Sequence, residues 1–254
     1  MNTPAAIPLN EQVILITGSS RNIGLAIALE FAKYGAKIVI NARSDTKSAQ
    51  AAAQAVTEAG GEAMLILADV GIEHQVQAMI DQVLTVWGKI SVLVNNAGLR
   101  RSCALTSMST AEWREVMAVN LDGPFFCCRA VVPSMINSNY GTIINISGLN
   151  AHIGRDRWSH VCASKTGAIG LTRALAVELA PHKITVNHII PGPIATERSH
   201  SSDMLETAKR IAGVPIGRLG HPSEIAALCV FLASENSRFI TGQTLHINGG
   251  ALRC

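Results

Sequence analysis

The stretch Val13-Ile14-Leu15-Ile16-Thr17-Gly18-Ser19-Ser20-Arg21-Asn22-Ile23-Gly24 decides the fold. An apolar run without a polar face is a strand that must be covered on both sides. Gly18 and Gly24 then frame a tight turn, and Ile23–Tyr34 has the spacing of a helix. Strand, glycine turn and helix in this order make a cradle for a diphosphate. The backbone approaches closely, while the helix N-terminus offers N–H donors and the positive end of its dipole. Gly18, Ser20, Arg21, Asn22, Ile23 and Gly24 are therefore predicted to contact a cofactor. Asn22 stands where glycine would be easiest, and asparagine tolerates left-handed backbone better than other side chains. A tight turn that holds no ligand is the bland alternative.

Outward from this stretch, apolar runs alternate with helical ones. Val13–Thr17, Lys37–Asn41, Ala63–Ala68, Ser91–Asn95, Thr142–Ile146, Ile184–Ile189 and Thr244–Ile247 read as strands. Ile23–Tyr34, Thr46–Ala59, Glu73–Trp87, Ala111–Asn137, Ser159–Leu179 and Pro222–Ala233 read as helices. Such alternation means βαβ units with right-handed crossovers, hence an α/β, doubly wound parallel sheet flanked by helices. The expected division is an N-terminal extension over residues 1–10 and one domain over 11–254. Pro193–Val214, rich in Ser, Thr, Glu and Arg, is the expected substrate lid.

A chain of 254 residues suits one large domain. Hydrophobic residues make up 48% and charged residues 15%, against about 25% charged in an average globular protein. That excludes a disordered chain and suggests surface buried against another copy. The net charge of +3 is scattered and aromatics are 4%, so no nucleic-acid surface is expected. Apolar runs such as Ala63–Ala68 and Ala226–Ala233 are too short to span a membrane. Met1–Asn10 lacks the features of a signal peptide. Six cysteines without C-x-x-C spacing fit a reduced, cytoplasmic compartment. His152, Asp156 and His160 recur every four residues, but Gly154 argues against one helix carrying all three, and no metal site is expected.

The second strand ends Asn41-Ala42-Arg43-Ser44. An acid there would bind both ribose hydroxyls and repel a 2′-phosphate, whereas Arg43 can pair with that phosphate. NADP(H) is expected over NAD, with an isolated surface arginine as the alternative.

These features resemble the short-chain dehydrogenase/reductase family. The likeness rests on the Thr17–Gly24 turn, Asp69-Val70, Asn95-Asn96-Ala97-Gly98, Asn120, Ala163-Ser164-Lys165, Pro191-Gly192 and Asn248-Gly249-Gly250. It runs from about Glu11 to Gly250 in order and spacing. The resemblance implies a Rossmann-type domain with a seven-stranded sheet, as a homotetramer or homodimer. It places Asp69 and Val70 at the adenine end and Asn96, Ala97 and Gly98 along the cofactor near its ribose; Asn41 is expected among the cofactor-binding residues with Arg43. Lys165 is placed at the nicotinamide ribose. Pro191, Gly192, Ile194 and Thr196 are placed by the carboxamide.

At the catalytic end the chain departs from the family. The family's Tyr, four residues before the Lys, gives or takes the proton, and the Lys charge lowers its pKa. A Ser thirteen residues before the Tyr orients the substrate oxygen. Those places hold Val161 and Gly148 here, while Asn120 and Lys165 remain. A lysine at its ordinary pKa of about 10.4 is a poor proton shuttle. Ser147, His160, or a water held by Asn120 and Lys165 are the substitutes to consider, although His160 is set about 100° around the helix from Val161. A solvated or interface histidine is the bland reading of His160. Cys162 reads as packing.

Arg100, Arg101, Arg155, Arg157 and Arg198 cluster at the expected substrate end, with Trp158 shaping the pocket, and Arg157 lies four residues before Val161 on a helical face. They suggest a small anionic substrate; rim charge or intersubunit pairing is equally simple. The reading is an NADP-dependent oxidoreductase with an atypical site. Its alternatives are a non-redox lyase or dehydratase using the same pocket, and a non-catalytic NADP-binding subunit.

Overall fold

Val13 and Leu15 point to one face of the first strand and Ile14 and Ile16 to the other, and both faces are covered. The computed structural model describes residues 8–196 and 211–253. Seven strands form its sheet: β1 Val13–Ile16, β2 Lys37–Ala42, β3 Glu62–Leu67, β4 Val92–Asn95, β5 Gly141–Ile146, β6 Ile184–Pro191 and β7 Thr244–Ile247. All pair in parallel, in the order β3-β2-β1-β4-β5-β6-β7. The helices are α1 Asn22–Ala32, α2 Thr46–Glu58, α3 Glu73–Trp87, α4 Thr110–Met117, α5 Gly123–Ser138, the single-turn α6 Asn150–Ile153, α7 Ser159–Leu179 and α8 Pro222–Leu232.

The two sheet faces make two cores. On one, Ile14, Ile16, Ile38 and Ile40 meet Ile27 and Phe31 of α1 and Ile225 and Cys229 of α8. On the other, Leu15, Leu93 and Ile143 meet Ile80 and Val83 of α3, Val131 and Met135 of α5, and Leu179 of α7. Each fully buried aliphatic side chain contributes about 1.5–3 kcal/mol of transfer free energy. Strands that feed both cores cannot alternate apolar with polar, hence their unbroken apolar runs.

Most predicted boundaries stand within one or two residues, and Glu73–Trp87 and Ser159–Leu179 stand in full. The predicted helix Ala111–Asn137 does not. It is two helices joined by a π-turn at Ala118–Asp122. Ser109 caps α4 through a reciprocal bond pattern with Glu112. A Cβ at Gly123, where α5 starts, would lie 3.1 Å from the Val70 carbonyl oxygen, so the segment rests directly on the loop after β3. The π-turn adds one residue to the helical repeat and turns Asn120 inward, fully buried. By length and composition Thr110–Ser138 is apolar enough to cross a membrane. Its apolar face is instead occupied, with Cys127, Cys128, Val131 and Met135 packed on the sheet.

β6 runs two residues beyond its predicted end, because Ile190 and Pro191 pair with His246 and Ile247 of β7. Only Pro193–Thr196 and residues 211–214 of the predicted lid fall among the described residues, as do residues 8–10 of the N-terminal extension.

Phe31 is wholly buried, while Val177 on α7 is 79% exposed. Phe31→Ala should lower the unfolding free energy in urea by about 3–5 kcal/mol, and Val177→Ala should change it by less than about 0.5 kcal/mol. Equal shifts would contradict this assignment of the core.

Candidate active site

The sheet order reverses between β1 and β4, and open α/β sheets bind ligands in the crevice that this leaves at the strand C-termini. The turns after these two strands are bolted together. Thr17 Oγ1 accepts from the backbone N–H of Asn96 and of Ala97, both at 3.0 Å. Asn96 Nδ2 donates back to the carbonyls of Thr17 at 2.9 Å and Gly18 at 3.0 Å. Gly18 has φ +62°, and a Cβ on it would lie 3.0 Å from Ala97 Cα. At Gly24 a Cβ would lie 2.5 Å from the Gly18 carbonyl oxygen and 2.6 Å from Asn96 Nδ2. Neither position has room for a side chain. Asn22 has φ +54°, the left-handed backbone expected of it.

Asn41 supports the same turn from β2. Its Oδ1 accepts from Gly18 N–H at 3.1 Å and its Nδ2 donates to the Ala68 carbonyl at 3.1 Å. The Asn41 N–H donates to Ser19 Oγ at 3.0 Å. Only 1% exposed, Asn41 braces the turn and is also among the residues lining the cleft. The sequence did not single out Thr17 or Ser19, because side-chain braces of this kind carry no spacing signature.

A cleft of about 850 Å³ opens over this joint. Gly18, Ser20, Arg21, Asn22, Ile23 and Gly24 line one end of it, with Arg43, Asp69 and Val70 beyond them. Asp45 also faces it, but its carboxylate caps α2, accepting from Ser48 N–H at 3.0 Å and from the Ser48 hydroxyl at 2.7 Å. These two bonds hold Asp45 below the usual carboxylate range, with Arg21 adding to the effect. Asp69 Oδ1 accepts from Gly71 N–H at 2.9 Å, which shapes the loop after β3.

Asn96, Ala97, Gly98, Pro191, Gly192, Ile194 and Thr196 continue the lining toward the other end, where Ser147, Gly148, Val161 and Lys165 meet. Lys165 is 91% buried, its Nζ donating to the Ile146 carbonyl at 3.0 Å. Burial, reinforced by the Arg100 guanidinium, pulls its ammonium down to about 7. The ordinary lysine value used for the sequence reading is therefore corrected: this amine exchanges a proton near neutrality. His188, on β6, is pulled down to about 3 by burial and then by the Lys165 charge, so it stays neutral beside Thr172 Oγ1 at 3.1 Å. Ser147 Oγ is buried without a hydrogen-bond partner. A Cβ at Gly148 would meet nothing within 4 Å.

Three sequence expectations are placed differently. His160 is fully buried with both ring nitrogens unpartnered and is not among the cleft residues; helical phase turns it away from Val161. It is thus neither solvated nor positioned as an acid. Arg101 forms a two-pronged pair with Glu115 outside the cleft lining. Arg157 precedes α7 in a left-handed conformation, φ +59°, so it shares no helical face with Val161. Arg100, Arg155 and Trp158 do line the cleft, Arg155 lying over the Trp158 ring at 4.2 Å. Arg198 and Cys254 lie outside the described residues.

Asn120 is held behind the cleft lining. Its Oδ1 accepts from Leu99 N–H at 2.8 Å, and its Nδ2 donates to the Leu99 carbonyl at 2.9 Å and to Ser164 Oγ at 3.2 Å. The His152 ring packs at a tilt of 59° against that of His246, with centroids 5.0 Å apart. Among the described residues no three His, Cys, Asp or Glu side chains gather as a metal would require.

A family model described as Enoyl-(Acyl carrier protein) reductase matches residues 18–251. The chain belongs to the short-chain dehydrogenase/reductase family. It is 38% identical over 237 residues to a 3-oxoacyl-[acyl-carrier-protein] reductase of Staphylococcus aureus (strain Mu50), covering 93% of this chain and 96% of the relative. A 3-oxoacyl-[acyl-carrier-protein] reductase of Synechocystis is 37% identical over 243 residues, covering 95% and 97%. A crystal structure of a candidate short-chain alcohol dehydrogenase from Sinorhizobium meliloti 1021 superposes with a TM-score of 0.89 at 31% identity, covering 94% and 96%. Membership makes the chain an oxidoreductase of the short-chain dehydrogenase type.

Gly24→Ala has to displace the Gly18 carbonyl, so it should destabilise the protein by about 1–3 kcal/mol in urea unfolding. Gly148→Ser enters open space and should stay within about 0.5 kcal/mol of the parent. The reverse ranking would contradict the close contact between the two turns.

Proposed function

We propose that the protein is an NADP(H)-dependent reductase of a small carbonyl-type substrate, in which the Lys165 ammonium supplies the proton that a Tyr gives elsewhere in the family. The observation that carries this reading is Lys165 itself. It is nearly buried in a cleft where Val161 and Gly148, at the positions of the family's Tyr and Ser, have no proton to give. A fit to a dinucleotide is supported by the glycine joint, which leaves space that any Cβ would fill, and by Arg21 and Arg43 at the far end. Gly18, Ser20, Asn22, Ile23 and Gly24 would hold the diphosphate, and Arg43 with Arg21 the 2′-phosphate. Asp69, Val70, Asn96, Ala97 and Gly98 would follow the adenosine and the chain beyond it. Pro191, Gly192, Ile194 and Thr196 would hold the carboxamide, and Asn41 would keep the turn in shape. When bound, the cofactor supplies the hydride.

The chain's own residues supply the rest. Ser147 Oγ, buried and unpartnered, is available to hold the substrate oxygen in place of the missing hydroxyl at 148. Lys165 then donates a proton to that oxygen as charge develops on it. Arg155, fixed over Trp158, with Arg100, gives the substrate end the charge to favour a carboxylate or phosphate on the substrate. A cytoplasmic homodimer or homotetramer fits the reading. Phe125 on α5 and Phe239 present apolar surface that a second copy would cover. The replacement of both usual catalytic hydroxyls keeps a non-catalytic NADP-binding subunit as the second reading.

Calorimetry with NADPH and NADH tests the cofactor end: NADPH should bind more tightly, and Arg43→Ala should weaken NADPH about tenfold while sparing NADH. Equal binding of the two would refute the 2′-phosphate assignment. Substrate reduction, followed as loss of NADPH absorbance, needs the protonated amine. Its rate should therefore be highest below about pH 7 and fall as pH rises through that value. Lys165→Met should abolish it, whereas binding without turnover of any carbonyl substrate would favour the subunit.

A further inference from the structure

We infer that Lys165 is also a covalent site: its amine condenses with small aldehydes and ketones that enter the cleft, forming an imine on the enzyme. Lysine is a nucleophile only when neutral, and proteins produce that form by burying the amine beside another cation and away from carboxylates. Those conditions meet here. Lys165 is 91% buried, its Nζ donates to the Ile146 carbonyl at 3.0 Å, and among the described residues no carboxylate pairs with it. Arg100 is the neighbouring cation.

Access comes from the two replaced positions. A Tyr at position 161 would add a phenol in front of the amine, one helical turn away; Val161 adds none. Gly148 leaves open space, with nothing within 4 Å of where its Cβ would stand. A Cβ at Gly98 would lie 3.5 Å from Nζ, so that side too is walled by backbone and not by a side chain. The amine thus borders a large cleft on a side where positions 148 and 161 carry neither a hydroxyl nor a ring. Depression of its ammonium to about 7 means that about half of it is neutral at that pH.

The chemistry balances without an oxidant or reductant. The nitrogen lone pair forms a C–N bond to the carbonyl carbon as the C=O π pair moves to oxygen. One proton passes from nitrogen to that oxygen. A second proton, from solvent, lets the C–O bond break, and water leaves an iminium at Lys165. Ser147 Oγ, lining the same end of the cleft without a partner, is placed to hydrogen-bond the departing oxygen. An iminium withdraws electrons from its neighbouring carbon, which is the chemistry of a non-redox lyase. The inference shares the cleft with the reductase reading but needs no hydride transfer and no cofactor.

The test uses the cofactor-free protein at pH 7 with glyoxylate, an aldehyde that carries a carboxylate, and sodium cyanoborohydride to fix any imine. Peptide mass spectrometry then gives the labelling rate at each lysine. Lys165 should be modified about tenfold or more faster than the exposed Lys33, Lys47 and Lys183. Lowering the pH to 5 should slow Lys165 by about two orders of magnitude. Labelling of Lys165 no faster than these surface lysines would overturn the inference, whatever the NADPH assays find. Failure of NADPH to bind or turn over would overturn the reductase reading and leave this result standing.

Discussion

Thr17 and Asn96 join the two strands that part at the reversal of sheet order, and the cleft exists because that joint holds. Each side chain bonds the other's turn, so the turns after β1 and β4 are fixed as a unit. The fit is tight enough that Gly18 and Gly24 can bear no Cβ without moving backbone. Buried amide and hydroxyl groups must be satisfied, at a cost of about 1–3 kcal/mol when they are not. Here they are satisfied by one another, and the N-terminal turn of α1 faces the cleft. Asn41 and Ser19 extend the bracing to β2.

At the other end the constraint is a charge. An ammonium taken out of water without a carboxylate shifts toward its neutral form, since desolvation penalises the charged one. Lys165 follows that rule, and the Arg100 guanidinium pushes in the same direction. Val161 stands four residues before Lys165, where the family is expected to carry Tyr. In the proposed function the amine is then the titrating group beside the substrate, and its neutral and charged forms suit different chemistry. The charged form would donate a proton; the neutral form would attack a carbonyl carbon.

Much of the fold was legible in the sequence, because strands that feed two cores are apolar throughout and helices that cover them are periodic. α3 and α7 could be read to their last residues. The π-turn at Ala118–Asp122 could not, since its composition is that of the helices it joins and only the wider hydrogen-bond pattern distinguishes it. The turn that joins β1 to α1 at one end of the cleft was legible through glycine spacing. The reaction half was less so: reading a helical phase back through Gly154 put Arg157 beside Val161, whereas the chain turns left-handed at both Gly154 and Arg157. That geometry brings Arg155 and Trp158 to the cleft instead. The Lys165 ionisation was invisible in the sequence, because a residue's type gives its ordinary pKa and only the fold gives its burial.

The state of the Lys165 amine is therefore the point on which the chemistry turns, and it can be observed directly. Lysines labelled with nitrogen-15 in the side chain, with the Lys165 resonance assigned through Lys165→Arg, would be titrated by NMR between pH 5 and 11. A midpoint near 7, well separated from the other lysines, is the predicted result. A midpoint near the ordinary value of about 10.4 would contradict the account, leaving the cleft with neither a proton donor nor a nucleophile at neutral pH.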